Sequence, residues 1–463
     1  MTANSSAELR SCSPQRPADL VASAQETPTD EVRATVREAR AAQRAWWAST
    51  VAERAAALDA IADEVAARRD EAAGLIVREV GKPIAEAQGE VARAMSILRY
   101  YAQAAYGTQG ETYSTAPPAL LFTQRHPLGV AGLITPWNFP LAIPLWKAAP
   151  ALAAGNAIVL KPATESLGCA QFLSQVLGKH LPDGLFSLVP GEATTGQALV
   201  AAADVVSFTG STAVGRQVRN AAALAGVPVQ CEMGGLNAAI VLPDADPEAT
   251  AAVLAGAAMG FAGQKCTATR RIILVGEQRR LIDALVDQVR ALRVDDPGEA
   301  GVSVGPVINA RASDQVLDAV AAARASGGQV LTGGSAFGRD GWFVEPTLIT
   351  GLPPGAPVAQ EEVFGPISSI TQVLDFESAV SLSNATRYGL VTSVHGRDIT
   401  ALLKGVMALD TGMVKINAPT TGVDFWAPFG GEKESSYGHR EQGTAALHFY
   451  STTRTVTVSQ HLG

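Results

Sequence analysis

The sequence predicts an α/β fold in which helices cover two layers of mostly parallel sheet. Three observations predict it. Short apolar runs of strand length alternate with stretches of helical period through both halves of the chain. The run at residues 129–134 is apolar throughout, as a strand buried on both faces is. Several runs end in Gly- or Pro-rich turns, and no internal repeat or low-complexity linker interrupts the alternation. A chain of 463 residues is long enough for two or three domains with substantial cores.

Taken in order, residues 1–26 are rich in Ser, Thr, Pro and charge and read as poorly ordered or loosely packed. From Thr27 to about Tyr106, Ala, Leu, Val and Ile recur at three-to-four spacing, which predicts helices. Thr27 is placed to cap the first of them, with Pro28 in its first turn and Asp30 three residues on. Gly81-Lys82-Pro83 divides this region into at least two helices. Residues 120–127 read as β, and 129–134 as a buried parallel strand that closes on Thr135-Pro136-Trp137-Asn138. A helical run carrying Lys147 follows, then a strand that delivers Lys161 to its carboxyl end. Residues 204–215 read as strand, Gly turn and helix, and 227–235 as a strand delivering Glu232 into Gly234-Gly235. After residue 266, helices near 277–293 and 313–326 and strands near 329–331 and 347–350 continue the alternation. The tail from Thr452 to Val458 alternates Thr and Val, which suits an edge strand used in subunit association.

Composition excludes several classes of function. Net charge is −8 and no basic patch is visible, which argues against a nucleic-acid partner. No run of about 18 apolar residues suggests a membrane span, and the N-terminal stretch lacks the apolar core of a secretory signal. Four scattered cysteines, Cys12, Cys169, Cys231 and Cys266, read as free thiols in a reducing cytoplasm. The six histidines form no metal-ligand spacing, so no metal site is expected.

The chemistry centres on Gly263-Gln264-Lys265-Cys266-Thr267, a loop between a helical run and a strand. Gly263 frees the backbone to turn. Lys265 places a positive charge beside the thiol, and a neighbouring cation favours the reactive thiolate. Asn138, on a stiff Pro-flanked turn at a strand end, offers an amide donor for an oxyanion. Glu232 sits in an apolar stretch, where burial raises a carboxyl pKa and fits it to take a proton near neutral pH. Backbone N–H groups at the helix start after Gly210 and Ser211 suit a phosphate. Each feature alone has a bland reading as core, turn or surface chemistry.

Together these stretches resemble the NAD(P)-dependent aldehyde dehydrogenase superfamily, from about residue 17 to 458. The matching motifs are Pro136-Trp137-Asn138-Phe139-Pro140, Lys161-Pro162-Ala163, Phe208-Thr209-Gly210-Ser211 through Gly215, Glu232-Met233-Gly234-Gly235, Gly263-Gln264-Lys265-Cys266, Glu362-Val363-Phe364-Gly365-Pro366 and Pro428-Phe429-Gly430-Gly431. The resemblance implies two Rossmann-like parallel-sheet domains and a small β oligomerisation arm. Residues 1–108 and 128–233 would bind the dinucleotide, 234–430 would form the catalytic domain, and 109–127 with 431–463 would bridge subunits of a homodimer or homotetramer. Cys266 would be the nucleophile, Asn138 an oxyanion donor, Glu232 the base for thioester hydrolysis, and Lys147 a supporting residue. Thr135, Pro136, Trp137, Lys161, Ala163, Thr164, Gly210, Ser211, Gly215, Glu362 and Phe364 would surround the cofactor. Glu362 would hold the nicotinamide ribose.

Two departures from the family pattern bear on specificity. Thr164 stands where NAD-preferring members usually have Glu, so both NAD and NADP stay open, with Glu165 adjacent as a partial substitute. Leu236-Asn237 replaces the usual pair after Gly-Gly. The tail motifs are similar to those of the α-ketoglutarate-semialdehyde dehydrogenase branch, implying a small, anionic semialdehyde. Phe425-Trp426 equally suits an aromatic aldehyde. Glu232 argues against a CoA-acylating enzyme. No strand-end His supports a cysteine hydrolase, and the complete residue set argues against a silent homologue.

Overall fold

The computed structural model describes residues 7–107, 109–115 and 119–459. Residues 1–6 of the N-terminal stretch and residues 460–463, including His461, lie outside that description. The expectation of a loose N-terminus fails over the part described. Glu8–Ser13 and Arg16–Gln25 pair as an antiparallel hairpin. Leu9, Ser11 and Ser13 turn inward in strict alternation. Gln15 Nε2 donates to Val77 O at 3.0 Å, and Asp19 pairs with Arg78 at 2.6 Å. The inward residues are mostly small and polar, so the strand period carries no apolar signal to read.

The helical region divides into Thr29–Ala48, Val51–Ala67, Arg69–Val80 and Ile84–Ala104. Thr27 does not cap the first helix. Extended Pro28 occupies that position, and no side chain caps it. Thr27 is buried instead, its N–H on Pro190 O at 2.8 Å and its carbonyl accepting from Thr195 Oγ1 at 3.0 Å. The second helix does carry a capping box, Thr50 with Glu53.

Two large sheets follow. In the first, Val229–Glu232, Val205–Thr209, Val130–Ile134, Ala157–Lys161 and Phe186–Leu188 lie side by side in parallel. In the second, the order is Gln329–Thr332, Thr347–Thr350, Ile367–Val373, Arg271–Val275, Ala238–Val241, Val391–His395 and Met413–Ile416. Only its first pair is antiparallel. A third, three-stranded sheet pairs Ser451–Val458 with Leu120–Pro127, which also pairs with Thr112–Tyr113.

Parallel strands present their carboxyl ends together. The first sheet therefore delivers Thr135–Asn138, Gly210–Ser211 and Glu232–Gly234 to one rim. The segment after residue 430 returns to this sheet: Ser436–Tyr437 adds antiparallel to Val229–Glu232, with Ser436 opposite Glu232. The helix Gly443–Phe449 then packs against Ala142–Ala153. No described helix is long and apolar enough to cross a membrane.

Candidate active site

Cys266 follows the helix Pro247–Met259 and a turn of unusual backbone. Phe261 and Ala262 sit at φ 52° and 50°, in the left-handed region that non-glycine residues avoid. Gly263 follows at φ 66°, where a Cβ would overlap Gly365 O. Three successive left-handed residues reverse the chain sharply and expose the thiol. The turn is pinned from several sides. Gln264 Nε2 donates to Pro306 O at 3.2 Å, and its Oε1 accepts from Ile308 N at 2.8 Å. Buried Arg270 donates to Gly365 O at 2.6 Å and to Gly263 O. Asn237 Nδ2 donates to Cys266 O at 2.7 Å and to Ala268 O at 2.9 Å. In the sequence Asn237 is only a departure; here it holds the carbonyl of Cys266.

Cys266 opens into a cavity of about 630 Å³ between the two large sheets. Its wall includes Pro136, Trp137, Asn138, Gly210, Ser211, Glu362 and Phe364 from the expected set. Phe364 meets Trp137 edge-on at 5.7 Å. Thr135, Lys147, Lys161, Ala163, Thr164, Gly215 and Glu232 stand outside this wall. Asn309, Arg311 and Gln315 line it without having been anticipated. They belong to the start of the helix Ala310–Ala325, which Asn309 caps through Ala312 N. The sequence reading started that helix three residues late, so its cavity-facing turn was missed.

Asn138 is 4 % exposed, and its Nδ2 donates to Gln264 O at 3.0 Å, tying it to the Cys266 turn. Its Oδ1 is buried without a partner. Its backbone carbonyl accepts from Lys82 Nζ at 2.7 Å. Lys82 also pairs with Glu90, and Glu90 Oε1 accepts from Leu141 N at 3.0 Å and Ala142 N at 3.1 Å. The Lys82 ammonium lies 3.7 Å from the Phe139 ring centroid. The residue read as a helix break thus anchors the turn that carries Asn138.

Glu232 is buried, with Oε2 accepting from Ser436 Oγ at 2.6 Å and Oε1 unpartnered. Burial, then the charge of Glu441, push its pKa well above the usual carboxylate range. Lys147 does not contact Glu232 by a hydrogen bond; it pairs with Glu441 and donates to Ser207 Oγ at 2.7 Å. Burial pushes Glu362 up to about 7, against the pull of Arg270. Gly235 N donates to it at 3.2 Å, and a Cβ on Gly234 would overlap its Oε2.

The expectation for Lys265 is corrected. Its ammonium is held by Glu86 at 2.6 Å. The thiol of Cys266 is pushed up to about 12 by burial and by the charges of Glu362, Glu232 and Glu441. Adjacency in sequence does not place the cation at the sulfur, because Lys265 turns toward the helix Ile84–Ala104 that carries Glu86. At neutral pH the resting thiol is therefore protonated.

The cavity also fits a dinucleotide. Ser211 caps the helix Thr212–Ala225 by accepting from Val214 N at 3.4 Å, so the helix start faces the wall beside Gly210. From the cavity wall, Asn309 Nδ2 donates to Glu165 Oε1 at 3.3 Å, which links the cleft to the turn after Lys161. Among the described residues, no cluster of three or more His, Cys, Asp or Glu is placed to hold a metal ion.

This combination of fold and site defines a class, and the comparisons agree: the chain belongs to the aldehyde dehydrogenase family, matched over residues 1–456. It is an oxidoreductase acting on aldehydes. The α-ketoglutaric semialdehyde dehydrogenase of Bacillus subtilis is 39 % identical over 450 residues, covering 95 % of this chain and 92 % of that protein. The α-ketoglutarate semialdehyde dehydrogenase of Haloferax volcanii is 37 % identical over 96 % of this chain and 94 % of its own. The structure of a NAD-dependent aldehyde dehydrogenase from Sinorhizobium meliloti superposes with a TM-score of 0.95 at 32 % identity, over 100 % of this chain and 93 % of that one. The two-layer α/β fold expected from the sequence is therefore present.

Proposed function

We propose that this enzyme oxidises a small anionic semialdehyde to its carboxylic acid through a covalent intermediate on Cys266. The observation that carries the reading is that the Cys266 thiol and the Asn138 amide share one cavity wall, while Glu232, a buried carboxyl with an oxygen that has no partner among the described residues, stands just behind it, next in the chain to the wall residues Met233 and Gly234. Cys266 passes its proton to Glu232, which returns it to solvent, and attacks the carbonyl carbon, forming a thiohemiacetal. The Asn138 amide and the Cys266 backbone N–H hold the oxyanion. When bound, NAD or NADP would supply the hydride acceptor for the carbonyl hydrogen. Glu232 then takes a proton from the water that cleaves the Cys266 thioester, releasing acid and thiol. Glu362 and the helix start at Ser211 hold the ribose and the pyrophosphate.

The names of the semialdehyde-oxidising relatives support the substrate class. So does the charge beside the loop Thr421–Asp424, whose Val423 packs with Cys266 around Leu390 and Phe429. Arg93 donates to Val423 O at 2.6 Å, and Lys415 to Thr421 O at 2.9 Å. These two cations lie beside the loop next to Cys266 and are the ones assigned here to a distal carboxylate. A second reading, an aromatic aldehyde, draws on the contacts Tyr100–Phe425 at 5.7 Å and Phe425–Trp426 at 4.9 Å.

Residues 1–108 and 128–233 form the proposed cofactor domain and 234–430 the catalytic one. Residues 109–127 and 431–463 would bridge protomers of a homodimer or homotetramer in the cytoplasm. Exposure along Ser451–Val458, an edge strand of its sheet, supports that arm.

Appearance of reduced nicotinamide absorbance, with a panel of semialdehydes, acetaldehyde and benzaldehyde against NAD and NADP, tests the whole reading. Turnover confined to the anionic semialdehydes and lost in Cys266→Ala is expected. A Cys266→Ala protein that still turns over sinks the mechanism, and preference for benzaldehyde favours the aromatic reading.

A further inference from the structure

The residue at position 164 is only one of the groups at the turn after Lys161. Thr164 Oγ1 donates to Glu192 Oε1, reaching across to the loop before the helix Ala193–Ala202. Lys161 Nζ clamps the same two segments, donating to Pro162 O at 2.9 Å and to Gly191 O at 2.6 Å. Glu26 fixes the loop from behind, accepting from Glu192 N at 3.1 Å and Thr195 Oγ1 at 3.2 Å. The Glu192 side chain is exposed at the mouth of this turn, and among the described residues its Oε2 accepts no hydrogen bond.

We propose that Glu192 supplies the carboxylate that residue 164 lacks, accepting from the adenine-ribose hydroxyls and selecting NAD over NADP. The proposal rests on the reading of the Lys161 turn as the adenine-ribose site. A ribose 2′,3′-diol offers two O–H donors, and a carboxylate with free lone pairs is the matching acceptor. A 2′-phosphate offers acceptors and negative charge only. At this turn it meets the carboxylates of Glu192, Glu26 and Glu165, with Lys161 already committed to two carbonyls. The same three carboxylates raise the proton affinity of the Lys161 ammonium, against the stronger effect of burial. The hydroxyl of Thr164, which a phosphate could have used as a donor, is spent on Glu192. Replacing Glu by Thr at position 164 therefore leaves the site acidic, and the charge has moved to another loop.

The test is titration of the full-length protein with NADH and with NADPH, followed by nicotinamide fluorescence, at low and high salt. The wild type is expected to bind NADH at least ~10-fold tighter than NADPH, a gap that narrows with salt because it is like-charge repulsion. Glu192→Gln, which keeps the shape and removes the charge, is expected to shrink the gap by ~10-fold and to weaken its salt dependence. Glu165→Gln is expected to change it less. Equal binding of both cofactors by the wild type, or an unchanged ratio in Glu192→Gln, overturns the assignment to Glu192. A larger shift in Glu165→Gln moves the role to that residue and overturns it too. Failure of the folded wild type to bind either dinucleotide fells the cofactor reading beneath it.

Discussion

Four carboxylates near this site, three buried and Glu362 half-buried, fall into two pairs that their partners treat differently. Glu90 and Glu441 are saturated. Glu90 holds Lys82 and two backbone N–H groups, while Glu441 holds Lys147, Trp146 Nε1 at 2.8 Å and Gln230 Nε2 at 3.2 Å. Glu232 and Glu362 each accept a single hydrogen bond among the described residues, and neither has a lysine. The saturated pair fixes backbone and neighbouring side chains. The other pair keeps acceptor capacity in reserve, and burial raises both carboxyls above the usual carboxylate range, Glu362 to about 7. Engagement sorts them: a carboxylate with all its lone pairs engaged has nothing left for a substrate or a water.

That contrast can be broken by single substitutions. The largest effect is expected from Glu232→Gln: turnover down ~10²–10⁴-fold with the fold intact, since the proposed general base is lost while an isosteric amide keeps the packing. Steady-state rates beside a thermal melt check it, and activity within threefold of wild type would place the base elsewhere. Glu90→Gln should do the reverse. It strands the Lys82 ammonium, whose side chain is 0 % exposed, and should destabilise the protein by about 3–5 kcal/mol in denaturant unfolding. A Glu90→Gln protein as stable as wild type would erase the distinction drawn here.

The smallest effect is a matter of pH. Glu362 titrates near 7 when folded and from a reference of 4.5 when unfolded, so the native state holds its proton more tightly. Its stabilising contribution is complete below about 4.5 and is lost as pH rises through 7, an effect on the order of 1–3 kcal/mol. Glu362→Gln should flatten that part of the stability profile of the cofactor-free protein, measured by urea unfolding at pH 5 and pH 7.5. An unaltered profile would mean that other groups set it.

What the sequence disclosed follows the same division. Cys266, Asn138, Glu232, Glu362 and the Gly210–Ser211 turn sit at strand or helix ends, where a local break in apolar pattern marks them. The partners that make them work carry no such mark. Lys82 reaches Glu90 and the carbonyl of Asn138, while Lys147 reaches Glu441 across 294 positions. Lys265 chose Glu86 over its own neighbour in the chain. Asn237, Arg311 and Gln315 became visible only once the two sheets were placed face to face. The N-terminal hairpin was missed because small polar residues fill its inward positions, and the period of two is legible only when its inward face is apolar.

The return of the tail to the first sheet sets an order of manufacture. Glu232 receives its second strand neighbour and, among the described residues, the one donor to its carboxyl group from Ser436, and Lys147 receives its counter-charge from Glu441. A ribosome that has made residues 1–430 has already made every motif of the reaction, the thiol included, yet none of this last support. Such a chain is expected to show no dehydrogenase activity and a thiol titration unlike that of the whole protein. Full activity from it would show that the tail only decorates the site. Until the final few dozen residues emerge, the nascent enzyme carries its nucleophile unarmed.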